Sequence, residues 1–169
     1  MKTRMLTLVR HAEAGSLHGS RIADHNRPLT ERGRKDARQL ATRLQAAGFL
    51  PDSMWTSDAE RAETTARLIQ AGIGLSDAAV AVRAGLYLAH TKTLVDLIGH
   101  AGDDISSLAV VGHNPGLSDL WDWLCDKPGL GLPTCGIVCL ELGISRWSDL
   151  HQGCANLRDY GTPALTFAP

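Results

Sequence analysis

The sequence has no excess of charge of either sign: among 169 residues, 17 Lys and Arg stand against 18 Asp and Glu, a formal net charge of −1. No long block of like charge occurs, so neither a nucleic-acid surface nor a polybasic membrane anchor is expected, and any basic feature must be local. Nowhere do about 18 uninterrupted apolar residues form a membrane span. The start, MKTRMLTLVRHAEAG, has too short an apolar stretch for a secretory signal, and the expectation is a cytoplasmic protein. The 4 cysteines, Cys125, Cys135, Cys139 and Cys154, form no CxxC pair of zinc-ribbon type. Free thiols in a reducing compartment explain them with less machinery than a zinc site completed by His151 and Cys154. HExxH, carboxylate clusters, repeats, low-complexity stretches and linkers are also missing. No metal and no organic cofactor is therefore expected, and residues 1–169 read as one domain. What is present is 44% hydrophobic content, enough at this length to bury a substantial core.

Strand-like and helix-like periods alternate along the chain. Residues 5–9 make a short apolar strand. Residues 31–47 carry Ala37, Leu40, Ala41, Leu44 and Ala47 at helical spacing, with Thr30 as N-cap and Gly48 as terminator. Residues 53–56 predict a second strand, and Ser57-Asp58-Ala59-Glu60 predicts a capping box opening a helix that ends near Gly72. A strand over 79–83 and a helix bearing Leu94, Leu97, Ile98 and Ala101, closed by Gly102, follow. A fourth strand over 107–111 leads to Asn114-Pro115, read as N-cap and first helical residue of a helix with Leu117, Leu120, Trp121 and Leu124 on one face. Residues 137–142 and 155–160 predict two more strands extending the sheet edge, with a short helix around Trp147 between them. The expected fold class is α/β, a three-layer α/β/α sandwich around a mostly parallel sheet.

In such a sheet, ligands collect outside the carboxyl ends of the strands. Arg10-His11 follows the first strand, and Gly112-His113-Asn114-Pro115-Gly116 follows the fourth, where His113 meets a helix N-terminus that favours an anion. The second strand leads to Ser57-Asp58-Ala59-Glu60-Arg61, so two arginines and two histidines converge on one edge. Guanidinium forks match the equatorial oxygens of a phosphoryl group in transfer, a neutral imidazole can attack phosphorus, and a second can donate to the same oxygens. The set fits a covalent phosphohistidine intermediate.

These residues also carry a family likeness. LVRHAEAG, SDAERAETTA and VVGHNPGLS resemble, in order, the three signature segments of the histidine phosphatase (phosphoglycerate mutase-like) superfamily. DHNRPLTERG, TCGIVCLEL, GTPAL and the compact length are closer to the SixA-type phosphohistidine phosphatases than to the mutases. The resemblance implies a phosphoglycerate mutase-like fold, His11 as nucleophile, Arg10 and Arg61 as phosphate clamp and His113 completing the pocket. Arg27 is a further phosphate-binding candidate that Asp24 would orient, although a surface pair of little energetic weight explains those two residues equally well. Asn114, in the Gly-His-Asn-Pro segment, is another binding candidate.

One departure bears on substrate. Many members of the superfamily place a leaving-group acid between the second arginine segment and the second histidine, yet residues 83–90, RAGLYLAH, hold no carboxylate, and Asp96 comes next, inside a helix. This disfavours alkyl phosphate esters, whose alkoxides need a proton, and favours phosphohistidine, whose imidazole leaves more easily. Glu13 and His90 remain as proton sources. The expected partner is a phosphorylated protein carrying phosphohistidine, with a small phosphorylated metabolite (for a phosphatase or mutase) or a noncatalytic phospho-binding role as alternatives. His18, His25, His100 and His151 read as surface or loop histidines, and Arg32, Arg34, Lys35 and Arg38 as a solvated helix face. Trp121 is expected in the core; Trp123 and Trp147 are open between core and interface.

Overall fold

Apolar residues adjacent in sequence are sorted onto two faces of one sheet. The structure is a computed structural model that describes residues 3–19 and 21–163. In β1 (Arg4–Arg10) and β4 (Ser107–Gly112), Leu6, Leu8, Leu108 and Val110 belong to one buried cluster, while Val9, Ala109 and Val111 belong to another. That period of two is what a strand buried on both faces requires. The first cluster is completed by Leu94 and Ile98 of α3 (Thr91–Ile98) and by Leu117, Leu120, Trp121 and Leu124 of α4 (Gly116–Cys125). The second takes Ala37, Leu40 and Leu44 of α1 (Glu31–Ala46) and Ala62, Ala66 and Ile69 of α2 (Glu60–Ile73). Each buried Leu or Ile contributes about 1.5–3 kcal/mol, and the result is a three-layer α/β/α sandwich.

The sheet order is β3-β2-β4-β1-β5-β6, with β2 at Ser53–Thr56, β3 at Val80–Val82, β5 at Ile137–Leu142 and β6 at Ala155–Gly161. The first four strands pair in parallel, and β5 and β6 extend the edge antiparallel. Register places the site. Arg10 lies opposite Gly112, and Thr56 opposite both Val111 and Val82, so His11, His113, Ser57 and Arg83 leave the sheet side by side at its carboxyl edge. At the other edge the buried Arg4 guanidinium donates to the carbonyls of Ser145 (3.0 and 2.8 Å), Asp103 (3.1 Å) and Ile105, fastening two loops.

Several local expectations shift. Thr30 caps α1 by accepting from Gly33 N at 3.0 Å, as its position predicts. Ser57 does not form a capping box: Ala59 is the cap residue of α2 and no side chain caps it. That helix runs past Gly72 to Ile73, with Gly74 left-handed at its end. α3 stops at Ile98, before Gly99 rather than Gly102: Gly99 N still bonds to Val95 O in the helical pattern, but His100 N and Ala101 N tighten onto Leu97 O and Ile98 O, which ends it. Pro115 is the cap of α4, not its first helical residue. Trp147, in a 3₁₀ turn at Trp147–Asp149, is fully buried, and Trp123 is half-buried. Ala164 and Leu165 of the GTPAL segment lie outside the described residues. No helix among the described residues is long and apolar enough to cross a membrane.

Candidate active site

The connection between β1 and α1 leaves the sheet at His11 and is pinched shut at its base. Ala14 pairs with Leu29, Gly15 N donates to Pro28 O and Thr30 N to Glu13 O, each at 3.0 Å. The loop so closed carries a 3₁₀ turn, Asp24–Asn26, with Arg27 after it. Gly33 in the first turn of α1 sits directly beneath the Glu13 carbonyl, where a Cβ would collide with it. Gly116, at the start of α4, lies equally close to the Ala89 carbonyl, in the connection between β3 and α3. Two backbone-to-backbone approaches thus seat the loops of the site on helix starts.

A cavity of about 360 Å³ opens at this edge, lined among others by Arg10, His11, Glu13, Asp24, Arg27, Arg61, His113 and Asn114. His11 is buried, and its Nδ1 lies 2.8 Å from the Ala12 carbonyl, so Nδ1 carries the proton and Nε2 keeps its lone pair. Arg61 Nε lies 3.3 Å from that Nε2, and Arg61 Nη2 3.4 Å from His113 Nδ1. His113 Nε2 in turn lies 2.8 Å from the Ser57 hydroxyl. A guanidinium only donates, so His113 Nδ1 accepts from Arg61 and the single N–H of the neutral ring, on Nε2, donates to the Ser57 hydroxyl. Arg10 Nη1 donates to Leu132 O at 3.1 Å, while its buried Nε has no partner among the described residues, a donor that an anion's oxygen satisfies.

Desolvation lowers the pKa of His11 to about 4, reinforced by Arg61, Arg10 and Arg27 and opposed by its bond to Ala12. Burial likewise lowers that of His113 to about 3, with Arg61 and His11 adding to the effect. Both rings are neutral at pH 7. If His11 is the reacting base, its neutral form is present at every pH above about 4, and kcat/KM, corrected for ionisation of the substrate, reaches its plateau by about pH 5. An acid limb centred at the ~6.5 of a free histidine rules out the desolvated nucleophile. For stability the sign is the same: both groups bind protons more readily unfolded, so stability is complete above about 6.5 and declines as pH falls toward 4.

Arg27 is drawn into the site. Its Nε donates to Asp24 Oδ1 at 3.0 Å and its Nη1 to Gly15 O at 3.0 Å, and it lines the cavity, which a free surface pair does not. Asn114 also lines it, but its Nδ2 donates to Leu132 O (2.8 Å) and its Oδ1 accepts from Ser118 Oγ (2.9 Å), which ties the loop before β5 to α4. His90 is exposed at the start of α3 and does not line the cavity. Glu13 does, with Oε1 accepting from the Thr30 hydroxyl at 2.8 Å. His18, His100 and His151 are exposed, as read, but His25 lies 3.0 Å from Asp58 Oδ1 and edge-on to Tyr87. Asp58 holds the pKa of His25 above its ordinary value.

Three residues of the site escaped sequence reasoning. Ser57 orients His113. Thr65 accepts from Ala12 N (3.0 Å) and donates to Arg61 O (2.7 Å), joining the residue after His11 to the turn that carries Arg61. Tyr87 donates to Asp24 Oδ2 at 2.6 Å. The spacing of Thr65, one turn beyond Arg61, was the only available signal. Among the described residues no group of three or more His, Cys, Asp or Glu side chains is arranged to hold a metal ion.

Residues 6–87 match the family described as Histidine phosphatase superfamily (branch 1). An uncharacterized protein of Mycobacterium tuberculosis is 34% identical over 165 residues, which cover 92% of this chain and 99% of that protein. A protein of Nakamurella multipartitia assigned as phosphohistidine phosphatase SixA superposes with a TM-score of 0.79 at 28% identity, over 98% of this chain and 99% of that one. The protein histidine phosphatase SixA complexed with tungstate gives a TM-score of 0.79 at 21% identity, over 94% and 97% of the two chains, a likeness of fold.

Proposed function

The chain belongs to the histidine phosphatase superfamily, branch 1, and from that membership we propose that it is a phosphatase that removes phosphate from phosphohistidine on a protein. The observation that carries the chemistry is the unprotonated Nε2 of His11 facing a guanidinium, with Nδ1 tied back to Ala12. Nε2 attacks phosphorus as the bond to the leaving nitrogen breaks, and that nitrogen departs on an imidazole already holding a proton. Arg10, Arg27 and Arg61 take up the charge on the equatorial oxygens, and His113 completes the pocket beside Arg61. Water then attacks phosphorus, the Nε2–P bond breaks, and inorganic phosphate leaves.

The substrate class rests on what the cavity can protonate. Its two lining carboxylates are both engaged, Glu13 by Thr30 and Asp24 by Arg27, Arg61 and Tyr87. A general acid contributes about 10²–10⁴-fold, so its lack costs an alkyl ester that factor and a phosphoramidate little. The expected result of a panel at one pH is that a protein or peptide bearing phosphohistidine exceeds phosphoserine peptides, 3-phosphoglycerate and sugar phosphates in kcat/KM by about 10²-fold or more. Spontaneous hydrolysis is subtracted with a His11→Ala blank. A small ester that wins the panel overturns the assignment, and binding without release of phosphate overturns catalysis altogether.

A further inference from the structure

Asp24 is the most heavily bonded carboxylate at the cavity. Oδ1 accepts from Arg27 Nε at 3.0 Å; Oδ2 accepts from Arg61 Nη2 at 3.0 Å and from the Tyr87 hydroxyl at 2.6 Å. Arg61 Nη1 also takes the Asp24 carbonyl at 2.7 Å, so the residue is fixed through backbone and side chain. Tyr87 reaches it from residues 83–90, on the opposite wall. Its ring is held edge-on by His25 (centroids 4.8 Å apart) and by His113 (5.5 Å), and the Arg61 guanidinium lies 5.9 Å from its centre.

The three donors are not equivalent once a phosphoryl group is bound. Arg27 and Arg61 are cations that a phosphate dianion also claims, and the dianion, being of like charge, pushes Asp24 toward taking up a proton. Tyr87 is neutral and donates its single proton to Asp24, so it still does so when the arginines turn to the substrate. Its bond is the leading cause of the lowered pKa of Asp24, ahead of either arginine. The same bond raises the pKa of the phenol, which therefore keeps its proton.

We propose that the Tyr87 hydroxyl sets which leaving groups this site accepts: by occupying Asp24 Oδ2 it bars that carboxylate from delivering a proton, confining turnover to phosphoryl groups whose leaving atom brings its own proton or needs none. This rests on the phosphohistidine reading and gives it a residue. The other groups facing Asp24 do not substitute for Tyr87. His25 turns to Asp58, Glu13 to Thr30, and His113 to Ser57.

Without the hydroxyl, a larger fraction of Asp24 takes up a proton when the phosphoryl group binds, and that fraction enters the first step as an acid. The Nε2–P bond forms, the P–O bond breaks and the proton passes from Oδ2 to the departing alkoxide. In the second step the ionised carboxylate takes a proton from the water that attacks phosphorylated His11, which restores the starting state.

The test is Tyr87→Phe on aryl and alkyl phosphates graded from nitrophenol to alkanol leaving groups. The readout is the slope of log kcat/KM against leaving-group pKa, a quantity that a merely structural role leaves alone. The wild type gives a steep negative slope; Tyr87→Phe gives a shallower one, with the alkyl-to-nitrophenyl ratio raised by about tenfold or more. In Tyr87→Phe/Asp24→Asn the steep slope returns. With inorganic phosphate bound, Asp24 titrates at higher pH in Tyr87→Phe than in the wild type, as followed by carboxyl NMR. An unchanged slope in the single variant overturns the proposal, and so does a shallow slope that survives in the double variant. If instead the wild type is already insensitive to the leaving group and prefers alkyl esters, the phosphohistidine reading itself fails.

Discussion

His11→Ala is expected to lower turnover by about 10⁴-fold or more, the scale on which loss of a covalent nucleophile is felt. Rapid quenching of the wild type with labelled substrate traps a phosphoenzyme that is labile in acid and stable in base, as a P–N bond is, and the variant traps none. The size of the effect follows from the lack of a substitute. The second imidazole, His113, has its ring centre 5.2 Å away and is committed to Ser57 through Nε2, and no third imidazole is among the described residues that line the cavity. Water attacking directly still finds the three guanidinium groups in place, which sets the residual rate. A phosphoenzyme that survives acid, or turnover above about one part in a hundred of the wild type, removes His11 from the role.

Arg61→Ala is expected to cost about 10³-fold in kcat/KM, the upper end for removing one transition-state donor, because this side chain serves several partners at once. It is 1% exposed, and its nitrogens reach His11 Nε2, His113 Nδ1, the Asp24 carbonyl and Asp24 Oδ2. Arg61→Lys recovers little, since one ammonium keeps the charge but cannot span four partners held in a planar fork. A second readout separates electrostatics from folding. Arg61 is one of the charges that hold His11 neutral, so in Arg61→Ala the acid limb of the pH profile moves upward. Wild-type activity in Arg61→Lys, or an acid limb that stays put in Arg61→Ala, contradicts the account.

The convergence of Arg10, His11, Arg61 and His113 was legible because each lies at or shortly after the end of a short apolar strand, and parallel register does the rest. The Asp24–Arg27 pair was legible only as a candidate that the family likeness suggests, since a surface pair explains the same two residues equally well. The misread features share a cause: their partners are distant in sequence. Ser57 looks like half of a capping box, but its hydroxyl meets His113, 56 residues away, and the backbone N–H it accepts from is that of Ala59, the cap residue itself, at 3.2 Å. Tyr87, in a stretch without a carboxylate, carries no chemical signal of its own. What it contributes depends on Asp24, 63 residues earlier. His25 reads as a loop histidine until Asp58 and Tyr87 close around it. The helix ends at Ile73 and Ile98 lie close to other glycines, and which glycine stops a helix is settled by the carbonyls its last turn can still reach.

Gly33 and Gly116 add a consequence for anyone mapping this enzyme by mutation. An alanine scan is designed as a subtraction, trimming a side chain to learn what it did. At these two positions it is an addition, since the methyl group enters space already filled by the carbonyls of Glu13 and Ala89. A survey that ranks positions by chemical endowment passes over both, and one that scores them as tolerant small residues gets the sign wrong. The displaced backbone would carry Glu13, two residues after His11, or the stretch just beyond Tyr87, so the injury registers as lost selectivity or rate at side chains that were never altered.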